Sequence, residues 1–493
     1  MKTLKVKISE LKHHFNLDIL FNRLYAQPYP FYLRSSMTSE PQFYRGEPLG
    51  RYSFIGANPF LVLKSKGHKI FVETSGNRDL SRHWRDRAGR TKGNRIYSYY
   101  GNPFEELKKI LDTYRITQKD YPVPFVGGGV GYFSYDLCHF VEKLPRTARD
   151  DLKFPDMFFA FYDRIFACDH KKNKVFLIGL NHTNFPLRPV VPEDTFPDGY
   201  RDKTKTTLLS GRRNRKFSLK SNFTKSAYLK AIRRAKEYIT AGDIYQMNLS
   251  QRFEVKSLVD SPQKIFSRLN QINPAPFSAF LQPVDGQSII SSSPERFLRI
   301  RNRHVETRPI KGTRPRGKNP AQDRRLKQEL YHSVKDNAEL AMIVDLERND
   351  LGRVCRYGSV KVAQSKGLET YPTVFHLVAT IEGDLHPRYN AIDLIKATFP
   401  GGSITGAPKI RAMEIIDELE PTQRNVYTGA IGYLGFDGTI DLSIAIRIFM
   451  INKNGIYFQA GGGLVADSDP ESEYQETIAK VKGLIKTLNL TMS

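Results

Sequence analysis

Cysteine is nearly absent from this sequence. Cys138, Cys168 and Cys355 stand far apart and form no CxxC pair. That argues against a zinc site and against a disulfide scaffold, and fits a reducing compartment. Long apolar runs are missing too: nothing approaches the roughly 20 residues of a membrane-spanning helix. The opening "MKTLKVKISELKHH" lacks the apolar core of a signal peptide. The expectation is a cytoplasmic protein without a membrane partner. There is no internal repeat and no long low-complexity tract. Acidic residues are in short supply, 51 against 76 Lys and Arg, for a net charge of +25. Such a balance can mark a nucleic-acid binder. Here the basic residues are scattered through 82–95, 211–220 and 313–327, with no aromatic stacking platform, helix-turn-helix or zinc finger around them. No nucleic acid is expected as the primary partner; attraction for an anionic small substrate suits the charge better.

Apolar residues make up 40% of the 493, including 31 Phe and 25 Tyr, enough for a substantial core. The chain divides into an N-terminal region at 1–185, a Pro-rich then Ser/Thr/Lys/Arg-rich linker or surface loop at 186–222, and a second region at 223–488. Before the linker, short apolar runs punctuated by Gly, Asn and Pro predict strands. The glycines of "PFVGGGVGYFSYDL" open no βα unit, so tight backbone packing explains them better than dinucleotide binding. After the linker, helices are predicted from Thr224 to Gly242, from about Arg324 to Leu346, and between "PGGSITGAPK" and Pro421. A β-meander follows, with turns at Asp437-Gly438 and Asn454-Gly455. Its middle strand, "TIDLSIAIRIFMI", places Leu442, Ile444, Ile446 and Ile448 on one face and Arg447 on the other. Arg447 there is either an anion ligand or one half of a cross-sheet pair.

The last helix opens on a Ser468-x-x-Glu471 capping box with Pro470 in its first turn. Glu473, Glu476 and Lys480 share one of its faces. That face is either solvated or part of a cation site, since Mg²⁺ takes one or two protein carboxylates and completes its shell with water and substrate. "QAGGGLVADSDP" runs straight into the helix and leaves backbone N–H groups free for an anion. A second acidic set, with Lys335, Asp336 and Glu339, precedes an apolar stripe. "PGGSITGAPK" is no P-loop, yet it sets N–H groups and the Ser403 and Thr405 hydroxyls before a helix. His376 in an apolar run reads first as a satisfied core histidine and only second as a functional one, and Glu295 after Pro294 faces a cleft or water.

In order along the chain stand "AGDIYQMNLSQRF", "SPERF", "PIKGT", "KDNAELAMIVDLERNDLGRV", "HLVATIEGDL", "FPGGSITGAPKIRAMEIIDELEP", "YTGAIGYLGFDG" and "AGGGLVADSDPESEYQET". Together they resemble the chorismate-utilising enzymes, the family of the first components of anthranilate and aminodeoxychorismate synthases. The resemblance is dense over about 225–487 and looser before the linker. It implies an α/β (α+β) fold with two facing, mainly antiparallel β-sheets forming a sandwich and helices outside. It implies Mg²⁺ held by Glu339 and Glu476 with Glu473 beside them, Glu295 as general acid, and His376 at the substrate ring. The substrate carboxylates would meet Thr313, Gly402, Ser403, Thr405, Gly406, Tyr427, Arg447, Gly461, Gly462, Gly463 and Lys480.

Within the family, anthranilate synthases typically have alanine where "PIKGT" has Lys311, whereas aminodeoxychorismate synthases have this lysine. The resemblance therefore implies amination of chorismate at C4 through a lysine-bound intermediate, on the way to 4-aminobenzoate and folate. The alternative is conversion to anthranilate and pyruvate. A neutral amine is required, and a lysine at its ordinary pKa of about 10.4 is almost wholly protonated; burial and nearby cations would free it. No glutaminase elbow surrounds any cysteine, so ammonia is expected from a separate glutamine amidotransferase subunit. Some relatives bind tryptophan, which implies a pocket here at Ser35, Arg51, Ser53, Pro276, Phe277 and Ser278.

Overall fold

The computed structural model describes residues 2–11, 16–37, 49–75, 89–90, 96–118, 120–181, 219–256 and 260–490. Of the expected linker, 186–218 lie outside the described residues; the remainder includes a strand, Leu219–Ser221, paired with Gln246–Lys256.

Among the described residues, two large, mainly antiparallel sheets of 13 and 12 strands dominate the fold. Each takes strands from both ends of the chain. The first runs from Ile310–Pro315 through Val374–Asp384, Arg296–Arg301, Ile440–Ile444 and Ala430–Gly435 to Gly128–Phe133, Met157–Tyr162 and Leu61–Lys66. The second includes Gln246–Lys256, Gly455–Leu464, Ile448–Asn452, Gln287–Ser293, Phe277–Val284, Phe31–Arg34 and Tyr52–Gly56. Alternation along these strands sorts their side chains into two cores. Phe31 and Phe54 join Val130 and Tyr132 of the first sheet in one cluster. Their neighbours Tyr32 and Ile55 face away and pack with Phe21, Phe266 and Val481, from the helices Leu17–Leu24, Pro262–Ile272 and Pro470–Thr487. The sandwich with outer helices follows from that alternation.

The glycine run at 127–131 serves close packing, as its sequence context suggested. A Cβ on Gly131 would fall 1.8 Å from the Phe158 carbonyl oxygen, and one on Gly128 2.2 Å from that of Leu434.

Three local expectations need correction. The single helix from about Arg324 to Leu346 is two, Pro320–His332 and Val334–Gly352. Ser333 leaves the helical region between them and its side chain caps the second by accepting from Asp336 N–H. The last helix is capped by Asp469 rather than Ser468, because the Ser468 hydroxyl donates to Glu473 at 2.6 Å. "TIDLSIAIRIFMI" is two strands, Ile440–Ile444 and Ile448–Asn452, in different sheets. The chain crosses from one to the other at 445–447, where Arg447 takes φ +50.

One buried ion pair ties the loop before Lys409–Leu419 and the end of that helix to the strand Gln246–Lys256. Arg424 is 2% exposed; its Nε and Nη2 donate to the two oxygens of Glu420 at 2.9 and 2.7 Å. It also donates to the carbonyls of Ile404 and Asn248. Glu420 in turn accepts from the Ser250 amide and hydroxyl. Truncating one partner of such a pair strands the other charge, at a cost of about 3–5 kcal/mol. Arg424→Met should therefore lower the urea unfolding midpoint far more than Arg233→Met, a change at an exposed position; equal midpoints would show that the pair is not structural.

Candidate active site

The edge strand Ile310–Pro315 carries Lys311 and Thr313. Lys311 pairs with Leu377, and Thr313 with His376, so Gly312 is the extra residue of a bulge. Gly312 has φ +72, and a Cβ there would come within 2.8 Å of Leu330, so only glycine fits this bend. Lys311 is 9% exposed. Burial drives its amine pKa down, the neighbouring Glu339 and Glu295 oppose that, and Lys480 adds to it; the net direction is downward. Glu295, 4% exposed, lies in the two-residue link from Gln287–Ser293 to Arg296–Arg301. Burial pushes its carboxyl up to about 7, despite hydrogen bonds from Ser403 Oγ (2.5 Å) and Ile310 N–H (3.3 Å) and the charge of Lys311. Desolvation thus moves the carboxyl toward its protonated form and the amine toward its neutral form.

His376 is buried on the neighbouring strand. Arg447 Nη2 lies 3.4 Å from its Nε2 and Thr313 Oγ1 2.9 Å from its Nδ1. A guanidinium only donates, so Nε2 accepts and the ring proton sits on Nδ1. Burial first, then Arg447, pushes this imidazole down to about 3. Arg447 is held by Asn273 Oδ1 at 3.2 Å and occupies the left-handed region, which a non-glycine residue enters only where its surroundings hold it.

A second group forms where Gly455–Leu464 meets two helices. A Cβ on Gly462 would lie 3.1 Å from Glu473 Oε2 and 3.6 Å from Glu476 Oε1, and one on Gly463 3.6 Å from Glu339 Oε2. Three carboxylates therefore approach one stretch of glycine backbone. Lys480 Nζ bonds Glu476 at 2.6 Å and the Gly461 carbonyl at 3.0 Å, and Lys335 lies 3.7 Å from Glu473. Burial raises the Glu339 pKa, with Lys311 and Lys335 opposing. Burial acts the same way on Glu476, but Lys480, Lys335 and Lys311 outweigh it and hold that carboxylate low. Among the described residues no three His, Cys, Asp or Glu side chains close on one metal-sized point. Two carboxylates beside an open backbone still fit a hard cation such as Mg²⁺, which draws its other ligands from water and substrate. Tyr427 is buried and receives a hydrogen bond from the Gly461 backbone.

The loop 400–406 closes the group. Ser403 reaches Glu295, while the Thr405 hydroxyl turns inward to the carbonyls of Gly401 and Gly402. Gly406 pairs with Met247, and a Cβ on it would strike the Gln246 carbonyl at 2.2 Å. Reading the sequence missed Asn273, Arg424 and Glu347, which donates nothing visible to a motif but accepts the Gly402 N–H at 3.0 Å. Charged residues inside the apolar stretch "MIVDLERNDL" were the one available signal for Glu347.

The expected tryptophan residues lie apart from this group. Arg51, Pro276, Phe277 and Ser278 line a cavity of about 80 Å³ together with Arg296 and Tyr433. Ser35 and Ser53 are buried beside it without lining it, the Ser35 N–H donating to Ser53 Oγ at 2.9 Å.

The family model for chorismate binding enzymes matches residues 58–486. Aminodeoxychorismate synthase component 1 of Escherichia coli is 40% identical over 99% of this chain and 100% of its own length. That of Salmonella typhimurium is 47% identical over 90% of each chain. Anthranilate synthase component 1 of Acetivibrio thermocellus is 37% identical over 90% of this chain and 88% of its own. Among solved structures, anthranilate synthase component I from Streptococcus pneumoniae superposes with a TM-score of 0.70 at 29% identity, covering 90% of this chain and 94% of that one. The menaquinone-specific isochorismate synthase of Escherichia coli shares the fold, with a TM-score of 0.66 at 16% identity, covering 98% of this chain and 94% of that one.

The geometry at His376 gives a direct spectroscopic expectation. ¹⁵N-histidine spectra, assigned by loss of the signal in His376→Gln, should show a neutral ring protonated at Nδ1 between pH 8 and about pH 5, since its pKa is about 3. A ring that titrates near the usual value of about 6.5 would contradict the arrangement.

Proposed function

This chain belongs to the family of chorismate binding enzymes, and from that premise we propose that it aminates chorismate at C4 to give 4-amino-4-deoxychorismate. The observation that carries this reading is Lys311, a buried amine on a sheet edge beside an acid whose pKa is moved the opposite way. An enzyme that has ammonia attack the ring directly needs no such nucleophile.

In this reading the neutral Lys311 Nζ forms a bond to C2. The two conjugated ring double bonds shift along the ring, and the C4–O bond breaks as Glu295 gives its proton to the departing hydroxyl, which leaves as water. Ammonia then bonds to C4, the double bonds shift back, and the C2–N bond to Lys311 breaks. The proton lost by the new ammonium restores the acid. Ammonia replaces water overall, and the enolpyruvyl group is retained for a separate lyase. Ser403 orients the Glu295 carboxyl. Arg447, which His376 holds by accepting at Nε2, presents donors at one end of the site, and Tyr427, Lys480 and the backbone of Gly461–Gly463 suit a carboxylate at the other. Glu339 and Glu476, with Glu473 beside them, would hold Mg²⁺, which when bound neutralises the ring carboxylate.

Ammonia comes, in this reading, from a glutamine amidotransferase partner. The two relatives named above as aminodeoxychorismate synthases carry the name "component 1", and no glutaminase motif is present in this sequence. The three cysteines are free, which suits the reducing cytoplasm.

Incubating the chain with chorismate, Mg²⁺ and ammonium should yield aminodeoxychorismate without pyruvate, identified by mass spectrometry; anthranilate with pyruvate would overturn the assignment. Lys311→Ala should lower kcat on the order of 100-fold or more, as loss of a nucleophile does, while chorismate still binds. Wild-type turnover by that variant would remove Lys311 from the reaction. Calorimetric titration of Mg²⁺ into the chorismate-bound chain, without ammonia, should show uptake that is lost in Glu339→Ala and in Glu476→Ala. Unchanged uptake in both would place the cation elsewhere.

A further inference from the structure

Glu347 lies two turns beyond Glu339 on the Val334–Gly352 helix and has no place in the chemistry above. It is 2% exposed, and a buried carboxyl is costly unless something requires it. One oxygen, Oε1, accepts the Gly402 N–H at 3.0 Å. The other, Oε2, is buried with no hydrogen-bond partner. The next residue after Gly402 is Ser403, whose hydroxyl donates to Glu295 at 2.5 Å. The approach is tight: a Cβ on Gly402 would lie 2.6 Å from Leu346 Cδ2 and 3.1 Å from Glu347 Oε1.

The charges around it are few. Asp350, one turn on, is paired with Lys409, and Lys409 also donates to the Thr398 carbonyl at 3.0 Å. Glu295 faces Glu347 from across the loop, and Lys311 lies beyond Glu295. Lys409, the cation nearest Glu347, is shared with Asp350, and its charge and the Gly402 N–H only partly oppose the upward shift. Burial, and then the charge of Asp350, move this carboxyl upward, toward the neutral form that leaves Oε1 a simple acceptor.

From this chain of contacts we infer that Glu347 is a positioning residue for the acid: by holding the Gly402 amide it fixes Ser403 against the Glu295 carboxyl. The inference rests on Glu295 acting as the acid. A neutral side chain with an acceptor oxygen at the same point does the same work, whereas removing the acceptor lets the loop and its serine drift. A shift of about 1 Å in a positioned group can cost on the order of 100-fold in rate.

The test is a kinetic cycle on the full chain with chorismate, Mg²⁺ and ammonium, following chorismate consumption whatever the product. Glu347→Ala should lower kcat at least 10-fold with the KM for chorismate unchanged, and Glu347→Gln should restore most of the rate. Glu347→Ala and Ser403→Ala should not add: the double variant should be no slower than the slower single one. Fully multiplicative losses would overturn the inference, as would equal loss in Glu347→Gln and Glu347→Ala. Circular dichroism and the urea midpoint of each variant separate these outcomes from misfolding; if Glu347→Ala does not fold, the Gln variant and the Ser403→Ala pairing with it decide. Glu295→Gln serves as the control on the premise: full turnover by it would sink the acid assignment itself, and anthranilate as product would sink the aminating reading, without touching the cycle.

Discussion

Desolvation is the constraint on which the site depends. A carboxyl and an amine are brought to the same region of one sheet and denied most of the water that would ionise both. In water the pair would exist as carboxylate and ammonium, and neither could do acid or nucleophilic work. Inside the sandwich the charged forms lose hydration, and the surrounding partners do not fully replace it. Glu295 receives two hydrogen bonds and one neighbouring amine, yet burial still prevails. Lys311 has three carboxylates acting on it, Glu339, Glu295 and Glu476, yet its direction is still downward. Those opposing interactions limit the shift, and burial sets its sign.

Such burial is tolerable only if the walls cannot relax. Arg424 supplies much of that rigidity, because one guanidinium reaches Glu420 twice and the carbonyls of Ile404 and Asn248 once each. Those partners belong to the end of the Lys409–Leu419 helix, the loop before it and the strand Gln246–Lys256. The loop that brings Ser403 to Glu295 is thus anchored on one side by Arg424 and on the other by Glu347. Glycines at 402 and 406 let backbone approach where any side chain would collide. Ion pair, loop and acid form one mechanical unit even though they come from distant parts of the sequence.

How much of this was legible beforehand differs by level. Alternating apolar runs revealed the strands, and Thr224, Gly242 and Pro421 marked helix limits closely. The break in "TIDLSIAIRIFMI" was not legible, because its alternation continues unbroken through Ala445 and Arg447 while the chain changes sheets. Period-two patterning reports which residues alternate, and it is blind to which sheet receives them. Ser333 was hidden for a related reason: a capping serine inside a helical pattern looks like one more polar position. Ser468 and Asp469 both qualify as caps, and the choice was made by a contact to Glu473 five residues on. Lys311, Glu295 and His376 were recognisable through motifs alone, since burial is a property of the assembled sandwich. Glu347 shows the same limit more sharply, for its role exists only through a backbone amide 55 residues away.

The two ends of the site differ in wetness, and that difference orders the chemistry. Glu476 and Lys480 keep 49% and 46% of their side chains exposed, so their charges are cheap to maintain and well suited to meeting an anion as it arrives. Lys311, Glu295 and His376 are buried, where an ionised group is expensive and protonation states are set by surroundings. A dianionic ring entering carboxylate-first would be held by the wet end before its reacting carbons reached the dry one. Binding strength and protonation control then fall mainly to different residues, although the Lys480 charge also pushes the Lys311 amine and the His376 ring down. A substitution at Lys480 could weaken capture without altering the acid, and one at the Glu295 end could alter the acid without altering capture. The two ends are built on different sheets, strand Gly455–Leu464 in one and strand Ile310–Pro315 in the other, and they meet through charge, since Glu339, Glu476 and Lys480 all act on the Lys311 amine.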